Sequence, residues 1–103
     1  MNDAIARHRK MVEQFPENEL ARFSLGKSLY DAREYAQAIE HLAFALAKKP
    51  DWMAVEILIG RCELAIGNKE AAKKALTHAR QLAVDQNHDG PLKETELLLQ
   101  QVQ

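Results

Sequence analysis

The chain has 103 residues, 14 Lys+Arg against 15 Asp+Glu and a net charge of −1, a size that bounds it to one domain. Such a balance argues against a nucleic-acid module, which carries a basic excess or stripe. The single cysteine, Cys62, rules out an internal disulfide framework. No apolar run approaches the ~20 residues needed to cross a bilayer, and the N-terminal stretch is charged throughout, unlike a signal peptide. A cytoplasmic protein with no nucleic-acid or membrane partner is the expectation.

In chain order, residues 2–14 form the first expected helix. Ile5, His8 or Arg9, Met11 or Val12, and Phe15 recur at helical spacing, and Asn2 or Asp3 is the expected cap. Arg7-His8-Arg9-Lys10 is the most basic stretch. It reads as a solvated face balanced by Asp3, Glu13 and Glu17, because steering a partner takes a larger field than one cluster provides. Pro16-Glu17-Asn18 is a break, after which helices span Glu19–Ala32 and Tyr35–Lys48. Lys48 and Lys49 suit the negative C-terminal end of the latter. Pro50-Asp51 breaks the chain again. A helix over Trp52–Ile66 stops at Gly67-Asn68, a pair suited to a left-handed cap. The Ala- and Lys-rich segment Lys69–Val84 favours another helix. After a polar loop with Gly90-Pro91, the last expected helix spans Leu92–Val102, with Pro91 near its start.

The stretch Glu19–Trp52 partly repeats over residues 53–86. Gly26 falls on Gly60, Ala38 on Ala72, Leu42 on Leu76, Ala45 on Ala79 and Asp51 on Asp85, each pair 34 positions apart. Leu25/Ile59 and Lys27/Arg61 match in kind. A fixed period in this range signals a helical repeat, and small residues at matched points let two helices approach closely.

Leu25-Gly26, Leu29, Ala38, Leu42, Ala45 and Pro50, with Tyr35 before the second helix, resemble the tetratricopeptide repeat (TPR). Residues 53–86 keep Ile59-Gly60, Gly67-Asn68, Ala72, Leu76 and Ala79. Arg22 and Glu56 stand where the family often has Trp, Glu63 where it often has Tyr, and Val84 replaces the closing proline. The resemblance implies an all-α fold, an antiparallel helix-turn-helix array in a right-handed superhelix of about six helices. Its expected divisions are a half-repeat helix over 1–18, repeats over 19–52 and 53–86, and a capping helix over 87–103.

In this family the first helix of each repeat lines a concave groove. By position the groove takes Leu20, Phe23, Ser24, Lys27, Tyr30 and Asp31 from one helix. Ala54, Ile57, Leu58, Arg61, Leu64 and Ala65 come from the next, and i, i+3, i+4, i+7 spacing puts each set on one side. An apolar strip, Leu20-Phe23-Ile57-Leu58, then lies beside Lys27 and Arg61. It suits an amphipathic helix or an extended peptide with an acidic group. Core packing and a homodimer interface are the competing readings of the same strip. The carboxylate clamp of some relatives does not transfer, because Phe23, Lys27 and Leu58 stand at its Lys, Asn and Asn positions.

No enzyme motif, cofactor fingerprint or zinc pair occurs among His8, His41, His78, His88 and Cys62. Arg61 beside Cys62 raises the alternative of a thiol activated by a cation, against a buried structural cysteine. Asp85–Glu96 satisfies the calcium-loop pattern D-x-[DN]-x-[DN]-G-x5-E. Its flanks lack the apolar register of an EF-hand, Lys93 sits at the ninth place, and no second loop exists. A polar inter-helix loop is the competing reading. The expected function is a non-catalytic protein–protein interaction module or scaffold, with self-association and a calcium-responsive loop as alternatives.

Overall fold

The computed structural model describes residues 3–102. Six α-helices succeed one another there: α1 (Asp3–Gln14), α2 (Glu19–Asp31), α3 (Tyr35–Lys48), α4 (Met53–Ala65), α5 (Lys69–Asp85) and α6 (Asp89–Leu99). A 3-10 turn at Gln100–Val102 comes after α6. Among the described residues there is no strand, and no helix is long and apolar enough to cross a membrane. The antiparallel array measures 37 × 27 × 20 Å. The cap of α1 expected at Asn2 lies outside the described residues; Asp3 is the first helical residue.

The matched residues meet across the helix pairs. Gly26 faces Leu42, and a Cβ there would lie 2.7 Å from the Leu42 Cγ and Cδ2. Gly60 meets Leu76 in the same way at 2.6 Å. Leu25, Ala38, Leu42, Ala45, Ala72, Leu76 and Ala79 have no exposed surface. Each glycine therefore gives up helix propensity, about 1 kcal/mol relative to Ala, for the close approach of two helices.

Two kinds of turn alternate. Within the pairs α2–α3 and α4–α5 the chain passes through Arg33 (φ 64°) and Gly67 (φ 83°), 34 positions apart. Arg33 N–H donates to the Tyr30 carbonyl at 2.9 Å and Glu34 N–H to the Leu29 carbonyl at 2.8 Å. Gly67 and Asn68 repeat both bonds onto Leu64 and Glu63. These bonds form a Schellman cap, which satisfies the last free carbonyls of a helix. Between pairs, Phe15-Pro16-Glu17-Asn18 and Lys49-Pro50-Asp51-Trp52 close with a single bond, 3.1 and 3.0 Å. In the first of these turns the Asn18 side chain caps α2 by accepting from Ala21 N–H at 2.9 Å.

After α5 the proline turn of the repeat pattern is absent. Val84, at the proline position, continues the helix to Asp85, and Asn87 (φ 56°) ends it with the other kind of cap, Asn87 N–H to Val84 O and His88 N–H to Ala83 O. The last helix therefore begins at Asp89 and not at Leu92. Pro91 sits in its first turn, where a missing N–H leaves no helical bond unmade. This also removes the calcium loop. Asp85 belongs to α5 and residues 89–96 are helical, so the carboxylates of the pattern cannot curl around one ion as a twelve-residue loop must. Asp85 Oδ1 accepts from Gln81 and Glu96 pairs with Arg80.

Arg22 and Glu56, which stand where the family often has Trp, are each matched by a partner 22 residues on. The Arg22 guanidinium lies 4.1 Å from the Phe44 ring centroid, and it donates to the Pro16 carbonyl at 3.0 Å and to His41 Nδ1 at 3.3 Å. At the corresponding place in α4 and α5, Glu56 is buried and hydrogen-bonded to His78 Nδ1. A cation on a ring in one pair is replaced by a carboxylate on an imidazole in the other.

Burial, with Arg22 and Arg9 nearby, holds the His41 pKa below 6.5. Accepting from Arg22 also requires an unprotonated Nδ1. Because the folded pKa is lowered, the contribution of His41 to stability is complete above the unfolded value of ~6.5 and is lost as pH falls below it. Urea unfolding between pH 7.5 and 5 is expected to show a smaller acid loss of stability for His41→Gln than for the native chain.

Candidate functional site

The central hollow, about 420 Å³, is built by α2, α4 and the start of α6. Phe23 and Lys27 come from α2, Ala54, Ile57, Leu58 and Arg61 from α4. They lie together because α2 and α4 are first helices of successive pairs and run side by side. Phe23 is fixed by Trp52, ring centroids 5.0 Å apart. Ala54 is exposed on the wall, while Ile57 and Leu58 are buried beneath it.

The apolar strip is not one continuous surface. Ile57 belongs to the cluster of Leu76, Ala79 and Leu98, and Leu58 to that of Leu25, Leu42 and Val55. Both are core residues whose edges reach the hollow. Leu20 and Ser24 face a separate hollow against α1. Tyr30 packs edge-on against Tyr35 at 5.8 Å and, with Leu64 and Ala65, borders a third hollow beside Leu98. Asp31 is exposed and pairs with Lys27 at 3.3 Å.

Neither of the equivalent cations is free. Lys27 has Asp31 on its own helix, an exposed pair of the kind worth about 0.3–0.5 kcal/mol. Arg61 donates from Nε and a terminal nitrogen to one Glu94 oxygen, at 3.2 and 2.6 Å. The hydrogen bond that Arg61 donates to Glu94 raises the Arg61 pKa. Met53, Gln86, His88, Pro91 and Glu94 complete the lining, and repeat position within α2 and α4 does not point to them. Met53 is the first residue of α4; for the other four the signal is the position of α6, which comes after α5 as α4 comes after α3 and so extends the same wall.

Cys62 is fully buried, and burial, with Glu63 second, pushes its thiol from 9.0 up to about 11. The activated-thiol reading is therefore overturned: Arg61 is engaged by Glu94, and desolvation acts in the opposite direction. A rise of this size leaves roughly 100-fold less thiolate at neutral pH, and the thiolate is the reactive form. Labelling by Ellman's reagent at pH 7.5 is expected to be negligible in the native chain and complete in denaturant. Among the described residues no group of three His, Cys, Asp or Glu side chains is placed to hold a metal ion.

The tetratricopeptide repeat model matches residues 29–89, more than half of the chain. The chain belongs to the tetratricopeptide repeat family. A TPR repeat-containing protein of Pseudomonas aeruginosa is 35% identical over 66 residues, 64% of this chain. The matched segment spans 63% of that relative's length. The TPR2B domain of yeast Sti1, solved as a pHsp70 complex, superposes with a TM-score of 0.85 at 19% identity, covering 96% of this chain and 79% of that one. PcrH in complex with the chaperone binding region of PopD gives 0.88 at 19% identity, covering 97% and 76%. A Bordetella parapertussis protein solved in solution gives 0.83 at 24% identity, covering 99% and 89%. At these identities the superpositions show a shared TPR architecture.

Proposed function

We propose that this TPR chain is a non-catalytic protein–protein interaction module that holds a peptide or helix of another protein in the hollow between α2, α4 and α6. The observation that carries the reading is an apolar hollow, walled by Phe23, Ala54 and the edges of Ile57 and Leu58, with a charged rim of Lys27, Arg61 and Glu94. A concave apolar site with a few fixed polar groups is the usual form of a binding site. The solved TPR neighbours include complexes with segments of other proteins, which supports the same reading.

The charges refine the ligand. An acidic group on the partner goes to Lys27, whose weak exposed pair with Asp31 is easily shared. Arg61 keeps Glu94, so it shapes the wall instead of acting as a free anion site. Capture from lysate tests this with the native chain and Ala54→Arg as baits, both checked for native circular dichroism. Ala54 is exposed, so the added guanidinium fills the hollow without entering the core. A protein retained by the native bait and lost by Ala54→Arg is the expected result; identical captures would reject the hollow as the site.

A further inference from the structure

A second hollow, about 380 Å³, opens where α1 meets α2, lined by His8, Met11, Phe15, Leu20, Ala21 and Ser24. Shifted by 34 positions, His8, Met11, Ala21 and Ser24 become Leu42, Ala45, Val55 and Leu58. Those four are buried in the cluster that packs α2 against α3 and α4, and Leu42 is the residue that touches α2 at Gly26. The interior thus displays what such a surface carries: a helix, α2 itself, lying between two neighbours.

On α1 and α2, among the described residues, no helix covers the same surface, although Ala21 is buried and His8 and Ser24 are half-buried. Met11 is 44% exposed, Phe15 53% and Leu20 61%. Phe15 and Leu20 stand where the exposed Lys49 and Ala54 stand one period later, so the rim of this hollow carries two large apolar side chains in place of a lysine and an alanine. A contiguous exposed patch of this kind marks an interaction site.

Charge defines the occupant further. Inside the molecule, the α2 residue facing His41 and Phe44 is Arg22. One period earlier those two positions are Arg7 and Lys10, both exposed and neither in an ion pair among the described residues. A residue in the place of Arg22 would meet two cations. Position 56, its equivalent in α4, already carries a glutamate, on His78.

We propose that the α1–α2 hollow seats an amphipathic helix of another protein, aligned as α2 lies on α3, with a Gly or Ala opposite His8 and a Glu or Asp four residues before it against Arg7 and Lys10. A second copy of the chain fits less well. Its end helix α6 presents a single large apolar residue, Leu97, with Lys93 one turn away, and that lysine would meet the same two cations. The seat is separate from the central hollow and does not depend on the function proposed for it.

The probe is a fluorescein-labelled, helix-stapled peptide copying residues 18–33 with Glu in place of Arg22. It is compared by anisotropy with the unaltered copy and with a copy carrying Leu for Gly26. The full chain is expected to bind the Glu peptide about tenfold more tightly than the Arg peptide, the difference between opposite and like charges at two exposed pairs. The Leu peptide loses binding. The Arg7→Glu, Lys10→Glu chain, whose two changes are exposed and whose fold is checked by circular dichroism, reverses the order. Equal affinities, an order that survives charge reversal, or no binding at about 1 mM overturns the proposal. Dimerisation in sedimentation that Phe15→Glu abolishes also overturns it, by giving the seat to a second copy.

Discussion

Leu76→Ala is expected to lower the unfolding free energy by about 3 kcal/mol, and Leu42→Ala by a similar amount. Both side chains are fully buried, and buried Leu→Ala changes cost about 2–5 kcal/mol from lost transfer energy plus the cavity left behind. Side chains that collapse into a gap recover part of that cost. Here each leucine rests on a glycine of the facing helix, which has no side chain to fill the space. For a domain with a total stability of about 5–15 kcal/mol, the loss is readily measured by urea unfolding. A change below about 1 kcal/mol would mean that the two helices do not meet at this point.

Gly60→Ala gives the second large effect, and its sign depends on residue 76. In the native background the new Cβ would sit 2.6 Å from the Leu76 Cγ and Cδ2, so a buried side chain or a whole helix has to shift. Overpacking of this sort costs about 1–3 kcal/mol, which outweighs the gain of about 1 kcal/mol from replacing a helical glycine by alanine. In Leu76→Ala the obstructing atoms are gone and only the gain remains. Gly60→Ala is therefore expected to destabilise the native chain and to stabilise Leu76→Ala, a coupling of about 1–3 kcal/mol, equal to the overpacking cost itself. Additive effects would contradict the contact.

The helices α2 to α5 are legible in the sequence because the period and the breaks at Pro16, Pro50 and Gly67 agree with one another. Arg33 is less visible as a turn. It holds φ 64° at the position where the next pair has Gly67, and only the Gly-Asn pair carries the chemistry that announces a left-handed cap. The start of α6 differs from its expected place for a related reason. Gly90-Pro91 reads locally as a loop, yet the first turn of a helix tolerates proline, and Val84 moves the turn by letting α5 run on.

The candidate site is legible where it depends on repeat position and illegible where it depends on α6. Phe23, Lys27, Ala54, Ile57, Leu58 and Arg61 meet because equivalent positions on α2 and α4 face the same way. Leu20 and Ser24 obey the same rule but turn toward α1, a difference that no spacing within α2 reveals. Glu94 is 33 residues from Arg61, far beyond any local pattern. The Arg22–Phe44 and Glu56–His78 pairs share one separation, so the departures at the two Trp positions carry their own explanation.

A photo-crosslinking amino acid placed at residue 54 tests the central claim most directly, with the same group at residue 66 as control. Ala54 and Ile66 are both exposed, but only residue 54 lines the hollow. Irradiation in lysate is expected to give a discrete adduct with another protein from position 54 and none from position 66. Equal adducts from both positions, or an adduct from position 66 alone, would contradict a binding site between α2, α4 and α6.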